Sequence, residues 1–204
     1  MLCFVKQCYR AVKKNATVSA DFLVMLAAAV LLVPIQWLGA WILALTIHEL
    51  CHYLAVRVCG GTVAAIHLTC RGIIMDAEPL SLGKEALCAY AGPIGALAVL
   101  LVARYVPRTA ICTLWFSAYN LLPIFPLDGG RGLGCILKKH LTDSVADRVL
   151  RYVENIVLLG ILIVAAISVF HLGLGLLPAV IAVLLFCRSK GLKSPCKKCR
   201  LGLQ

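Results

Sequence analysis

A His-Glu-x-x-His sequence, His48-Glu49-Leu50-Cys51-His52, lies inside an apolar run from Gly39 to Val58, and Gly39 to Ile47 carry no charge. Positions i and i+4 of a helix share a face, so His48 and His52 can offer two imidazoles to one metal ion. Glu49 follows the first His directly, which sets its carboxylate beside a metal-held water and outside the ligand set. Ionisable groups in a hydrophobic helix are costly at membrane depth, and by default they mark function. The plainer alternative is a chance match, with histidines satisfied on a buried helix. It is disfavoured because a metal motif coincides with a place where unpaired charge is expensive.

Composition agrees with that setting. Of 204 residues, 62% are hydrophobic and 14% charged, with a mean hydropathy of +0.95. These values fit an all-α polytopic membrane protein. The net charge of +11 could suggest nucleic acid. However, the basic residues cluster between apolar runs and at the termini, as orienting charges do, so the expected partner is the lipid bilayer and no nucleic acid. The 11 cysteines are expected as reduced thiols serving as small apolar residues.

Six transmembrane helices are predicted, at about 20–38, 39–58, 85–103, 109–127, 156–170 and 172–187, with a short β-hairpin between spans two and three. Residues 1–187 then form one membrane domain and 188–204 a short basic tail. A signal peptide ending near Leu38-Gly39-Ala40 is the alternative for the first span, but the run is long for a signal core. Thr62 to Ala77 reads as two short strands from its β-branched content and the interruption at Gly72. Arg131 to Arg151 is spaced as an interfacial helix. The apolar stretch from Ile156 to Cys187 would be about 48 Å long as one helix, against a core of about 30 Å, so it is divided near Gly173 to Pro178. This arrangement puts 18 of the 20 Lys and Arg on one side and leaves Arg104 and Arg108 opposite. The bias predicts a multi-pass cell-membrane protein with both termini cytoplasmic.

Two imidazoles do not complete a catalytic zinc site, which usually takes three protein ligands and keeps one open position. Asp21, His67, Asp76, Glu78, Asp128, His140 and His171 are the candidates for the third. Topology favours Asp128, at the cytoplasmic end of span four and at a depth similar to His48 and His52. Pro123 and Pro126 precede it and Gly129-Gly130 follow. Irregular backbone of that kind is tolerated at membrane depth where it lines a cavity or is buried in protein. The bland alternative makes Asp128 the cap of an interfacial helix starting near Gly130.

His48-Glu-Leu-Cys-His52 and Asn120-Leu-Leu-Pro-Ile-Phe-Pro-Leu-Asp128-Gly-Gly-Arg131 together resemble the two signatures of the site-2 protease family of intramembrane metalloproteases. The span order is most similar to stage IV sporulation protein FB, without its CBS domain. The resemblance implies one zinc per chain held by His48, His52 and Asp128, with Glu49 as catalytic base and Asn120 contacting substrate. Gly92-Pro93 matches a Gly-Pro element of the family, although the asparagine that often follows is Ala96 here. No PDZ domain is expected between these spans.

The expected function is thus an intramembrane zinc endopeptidase acting in regulated intramembrane proteolysis. Its partners would be a membrane protein substrate and a regulatory membrane protein. The competing class is a non-catalytic membrane metal-binding protein or transporter. A transporter should spread polar groups across the bilayer, whereas here they gather at one depth. An extended substrate segment could add to a strand of Thr62–Ala77 by edge pairing. Cys196 and Cys199 supply only half of a structural zinc site and read as free thiols in a basic tail.

Overall fold

The computed structural model describes residues 16–69 and 72–170. Its elements are β1 (Ala16–Val18), α1 (Ala20–Leu32), α2 (Ile35–Val58), β2 (Val63–Thr69), β3 (Gly72–Ala77), α3 (Leu82–Ala96), a 3-10 helix (Leu97–Val102), α4 (Pro107–Asn120), α5 (Asp128–His140) and α6 (Asp143–Phe170). The described residues divide into two compact units, 16–80 with 91–117, and 81–90 with 118–170. The protein is mostly helical. Among the described residues, three stretches, Ile35–Val58, Leu82–Val102 and Asp143–Ser168, are long and apolar enough to cross a membrane.

The six-span expectation is therefore met only in part. The first span ends at Leu32, and the break falls at Pro34 instead of Leu38/Gly39. Proline lacks the N–H that a helix interior needs and disfavours helical geometry in the residue before it. At 13 residues, α1 is only about 20 Å long. The expected span 109–127 is also cut short, because α4 stops at Asn120 and an irregular segment with a cis Phe125–Pro126 bond precedes α5. The interfacial helix expected over Arg131 to Arg151 is two pieces. α5 ends at Leu141 in extended geometry, and the carbonyl of Thr142 starts α6 by accepting from the Ala146 N–H at 2.9 Å. Residues 143–151 then continue into the fifth expected span as one helix of 28 residues. The expected span 172–187 and the tail lie outside the described residues.

In the first unit, β2 and β3 form the expected antiparallel hairpin, with Ile66 opposite Met75 and Leu68 opposite Ile73. Gly60, at φ 83°, turns the chain out of α2 in a left-handed conformation that costs glycine little. Sequence reading did not find β1, which pairs in parallel with β2 and gives the order β1-β2-β3. α2 packs on α4 through Ala40, Ala44 and Cys112, small residues that let membrane helices approach closely. Trp41 meets the Phe116 ring edge-on at 5.4 Å. The outward residues of α2 (Ile42, Leu50, Leu54 and Val58) are exposed and apolar, as a lipid-facing surface requires.

In the second unit, Ile124 and Leu127 bury against Leu158 of α6, with Tyr119, Leu122 and Ile161 around them. Gly129 and Gly130 let the first turn of α5 lie against the preceding segment. A Cβ on either would run into the backbone of Leu121 or Ile124. Gly132 does the same for the Tyr90 ring, whose hydroxyl donates to the Gly129 carbonyl at 3.4 Å. Lys138 of α5 pairs with Asp147 of α6 at 2.8 Å.

Candidate metal centre

His48 and His52 lie one turn apart on α2, on the face turned toward the interior of the first unit. His48 is 2% exposed, and Glu49 and His52 are half-buried. The two Nε2 atoms converge to 3.1 Å. A tetrahedral zinc with Zn–N bonds of 2.0–2.1 Å imposes an N···N edge of about 3.3 Å, so both nitrogens are already within a few tenths of an ångström of a shared zinc shell. The rings stand edge-to-face, 4.7 Å apart and 80° inclined. Each ring is also held from outside the motif. Phe116 of α4 meets His48 edge-on at 4.7 Å. Gly92 of α3 lies so near His52 that a Cβ there would overlap Nε2, Cε1 and Cδ2 of the ring. Three residues on, Gly95 holds the same close approach to Cys51, its Cβ position 2.8 Å from Sγ.

Asp128 belongs to the second unit, where it is the first residue of α5 and 8% exposed. The N-cap position is Leu127, so Asp128 is the first helical residue and not the N-cap residue of a helix starting near Gly130. Its carboxylate sits at the positive end of the helix dipole, where negative charge is favoured. Arg131 stands 3.9 Å away on the next turn. Among the described residues, His48, His52 and Asp128 are the group that could hold a metal ion. Two imidazole nitrogens and a carboxylate oxygen are a donor set that zinc accepts.

Of the other candidate ligands, Asp76 and Glu78 are exposed at the end of the hairpin, Asp21 is exposed on α1, and His140 is exposed at the end of α5. His171 lies outside the described residues. Asn120 closes α4 and is half-buried. Sequence reading missed Phe116, and it missed Thr113 and Ser117, two hydroxyls of α4 that are 1% and 0% exposed with no hydrogen-bond partner among the described residues. The i, i+4 spacing from Thr109 through Thr113 to Ser117 was the available signal, a polar stripe on an otherwise apolar helix.

No family model matches the chain. Rip3, a candidate zinc metalloprotease of Mycobacterium tuberculosis found in the Erdman and H37Rv strains, is 32% identical over 126 residues, which is 50% of this chain and 31% of Rip3. The chain thus spans about a third of the length of the curated relatives it matches. Among solved structures, the site-2 protease from Methanocaldococcus jannaschii matches with a TM-score of 0.55 at 19% identity, covering 88% of this chain and 93% of that one. The chain has the fold of that site-2 protease.

Proposed function

We propose that this protein is an intramembrane zinc endopeptidase that hydrolyses peptide bonds in a membrane-spanning or membrane-adjacent segment of a protein substrate. The observation that carries the reading is the 3.1 Å convergence of the His48 and His52 nitrogens, with a glutamate between them in sequence, on a helix apolar enough to cross a membrane. The similarity to a candidate zinc metalloprotease and the site-2 protease fold support it.

In this reading His48, His52 and Asp128 hold one zinc per chain, which, when bound, acidifies water and polarises the scissile carbonyl. Glu49 takes the proton from the attacking water and returns it to the leaving amine. Placed directly after His48, it is too close along the helix to share the histidines' face and stands beside them as a base. Asn120 contacts the substrate backbone. The substrate must be extended at the site, because helical carbonyls are engaged in their own ladder. β1 covers the outer side of β2 only over Ile66–Leu68, so among the described residues β3 offers the longer free edge to which such a segment could add. Both termini lie in the cytoplasm, and the role is in regulated intramembrane proteolysis, with a regulatory membrane protein as further partner. The nearer likeness to stage IV sporulation protein FB rests on span order alone.

The test pairs metal content with cleavage of a candidate membrane substrate, for wild type and Glu49→Gln. Zinc near one per chain in both, with cleavage abolished only in the variant, is the expected result. Equal cleavage in both removes Glu49 as base. A purified protein without metal sinks the reading, and zinc retained with no turnover by the wild type favours a binding protein.

A further inference from the structure

The first unit holds an open, groove-like cavity of about 290 Å³ between the starts of α2 and α4, just below the usual range for small-molecule sites (about 300–1,000 Å³). Its lining on α2 runs from Ile35 to Leu43, so it stops five residues before His48, about 7.5 Å along the helix, and includes none of the candidate metal ligands. We propose that this cavity binds the phosphate head group of an anionic phospholipid.

Four observations converge on a phosphate. Thr109, on the cavity wall, is 6% exposed, and its hydroxyl has no hydrogen-bond partner among the described residues. Arg108, on the same wall, is exposed and makes no ion pair among the described residues. The start of α2 has no side-chain cap, because the N-cap is Pro34. The Trp37 and Leu38 amides turn back to the Pro34 carbonyl, which leaves those of Ile35 and Gln36 for an acceptor. α4 opens with Pro107 after an apolar residue, Val106, so the Arg108 and Thr109 amides are likewise without a side-chain cap. Two uncapped helix starts and a guanidinium facing one cavity form an anion site.

The remaining lining decides the source of the anion. Ile35, Ala40 and Leu43 form the apolar part of the wall, and Ile35 and Leu43 are 74% and 45% exposed, on the lipid-facing surface. A free phosphate has no use for that apolar wall, whereas the glycerol and first acyl carbons of a phospholipid do. On the six-span reading, Arg104 and Arg108 are also the two basic residues on the side where orienting charges are scarce. A bound lipid phosphate gives Arg108 a role there.

The test uses the full chain in phosphatidylcholine nanodiscs with and without phosphatidylglycerol, reading retained lipid by native mass spectrometry and thermal midpoint in parallel. Wild type is expected to retain phosphatidylglycerol over phosphatidylcholine and to melt higher in its presence. Arg108→Gln should lower that preference about tenfold, the loss of one charge-assisted contact. Thr109→Val, of the same shape, should lower it less, with zinc content unchanged in both. Thr109→Val decides the matter should Arg108→Gln fail to fold. Retention unchanged in the variants overturns the site. An equal rise in midpoint from inorganic phosphate alone overturns the lipid as occupant.

Discussion

Replacing Gly92 with alanine tests whether the close approach of α3 to the metal helix is what places His52. The added Cβ would overlap three ring atoms of His52. Restoring van der Waals contact requires the ring to retreat by about 1 Å, or α3 to move outward by as much. The ring has little freedom to do so without leaving the position in which its Nε2 lies 3.1 Å from that of His48. A displacement of about 1 Å at a catalytic group can cost about 100-fold in rate. Disturbing the support of a metal ligand typically costs about 10–100-fold in affinity. Gly92→Ala is therefore expected to weaken zinc binding at least tenfold and to lower cleavage about 100-fold. Gly95→Ala meets only the Cys51 side chain, at 2.8 and 3.0 Å. It should perturb packing with a much smaller effect on metal. Gly39→Ala, with nothing within 4 Å, should leave metal and cleavage alone and stabilise α2 by about 0.5–1 kcal/mol through helix propensity. The assay is zinc competition against a chromophoric chelator, with cleavage and thermal midpoint on the same preparations. A Gly92→Ala protein that binds zinc and cleaves like wild type would refute the argument, since the ring would then have moved without consequence.

Further expectations follow from the same packing. Gly129→Ala drives a Cβ into the Leu121 carbonyl, a backbone group that cannot rotate away. It should destabilise by at least about 1–3 kcal/mol in denaturation of the purified protein, and a change below about 0.5 kcal/mol would contradict the close approach. Thr113→Val removes a buried hydroxyl without a partner at constant shape. Such groups cost about 1–3 kcal/mol when left unmet, so the variant should melt higher than wild type, and a lower midpoint would mean the hydroxyl has a structural role. Single prolines along β3 (Gly72–Ala77) should alternate in effect. Those at positions whose N–H bonds β2 should disrupt the hairpin, and those at outward positions should spare folding yet impair cleavage. Uniform tolerance of the outward set in a cleavage assay would dismiss edge pairing.

The candidate metal helix was legible as a helix because two independent constraints fall on the same residues. The His48/His52 spacing is a property of one helix, and the uncharged run before it marks the helix as membrane-embedded, so no tertiary information was needed. The hairpin was legible for a similar reason, since β-branched residues around Gly72 leave few other local solutions. Hydropathy served less well at the boundaries. The run on either side of Pro34 is apolar, and hydropathy does not register that Pro34 ends one helix and begins the next. The same blindness extended α4 through Pro123 to Leu127, and it merged α5 with the start of α6, where an extended Leu141 separates two amphipathic stretches.

What could not be read is the set of contacts that depend on the absence of a side chain. Gly92, Gly95, Gly129, Gly130 and Gly132 look alike in sequence, as helix-weakening residues in or beside apolar stretches, yet each has a different neighbour: an imidazole, a thiol, two stretches of backbone and a phenol ring. A missing Cβ leaves no chemical signature in the sequence, and its meaning appears only when the opposing surface is known. The Asp-Gly-Gly sequence illustrates the point. Read locally, the two glycines suggest flexibility after a cap. In the fold they let α5 press on the Leu121–Phe125 backbone, and this fixes Asp128 as the first helical residue, buried, at the positive end of the dipole. The glycines thus set the environment of the carboxylate as strongly as its own identity does. The same reasoning gives Gly92 its importance, since the two nitrogens can hold their 3.1 Å separation only while nothing larger than hydrogen stands behind His52.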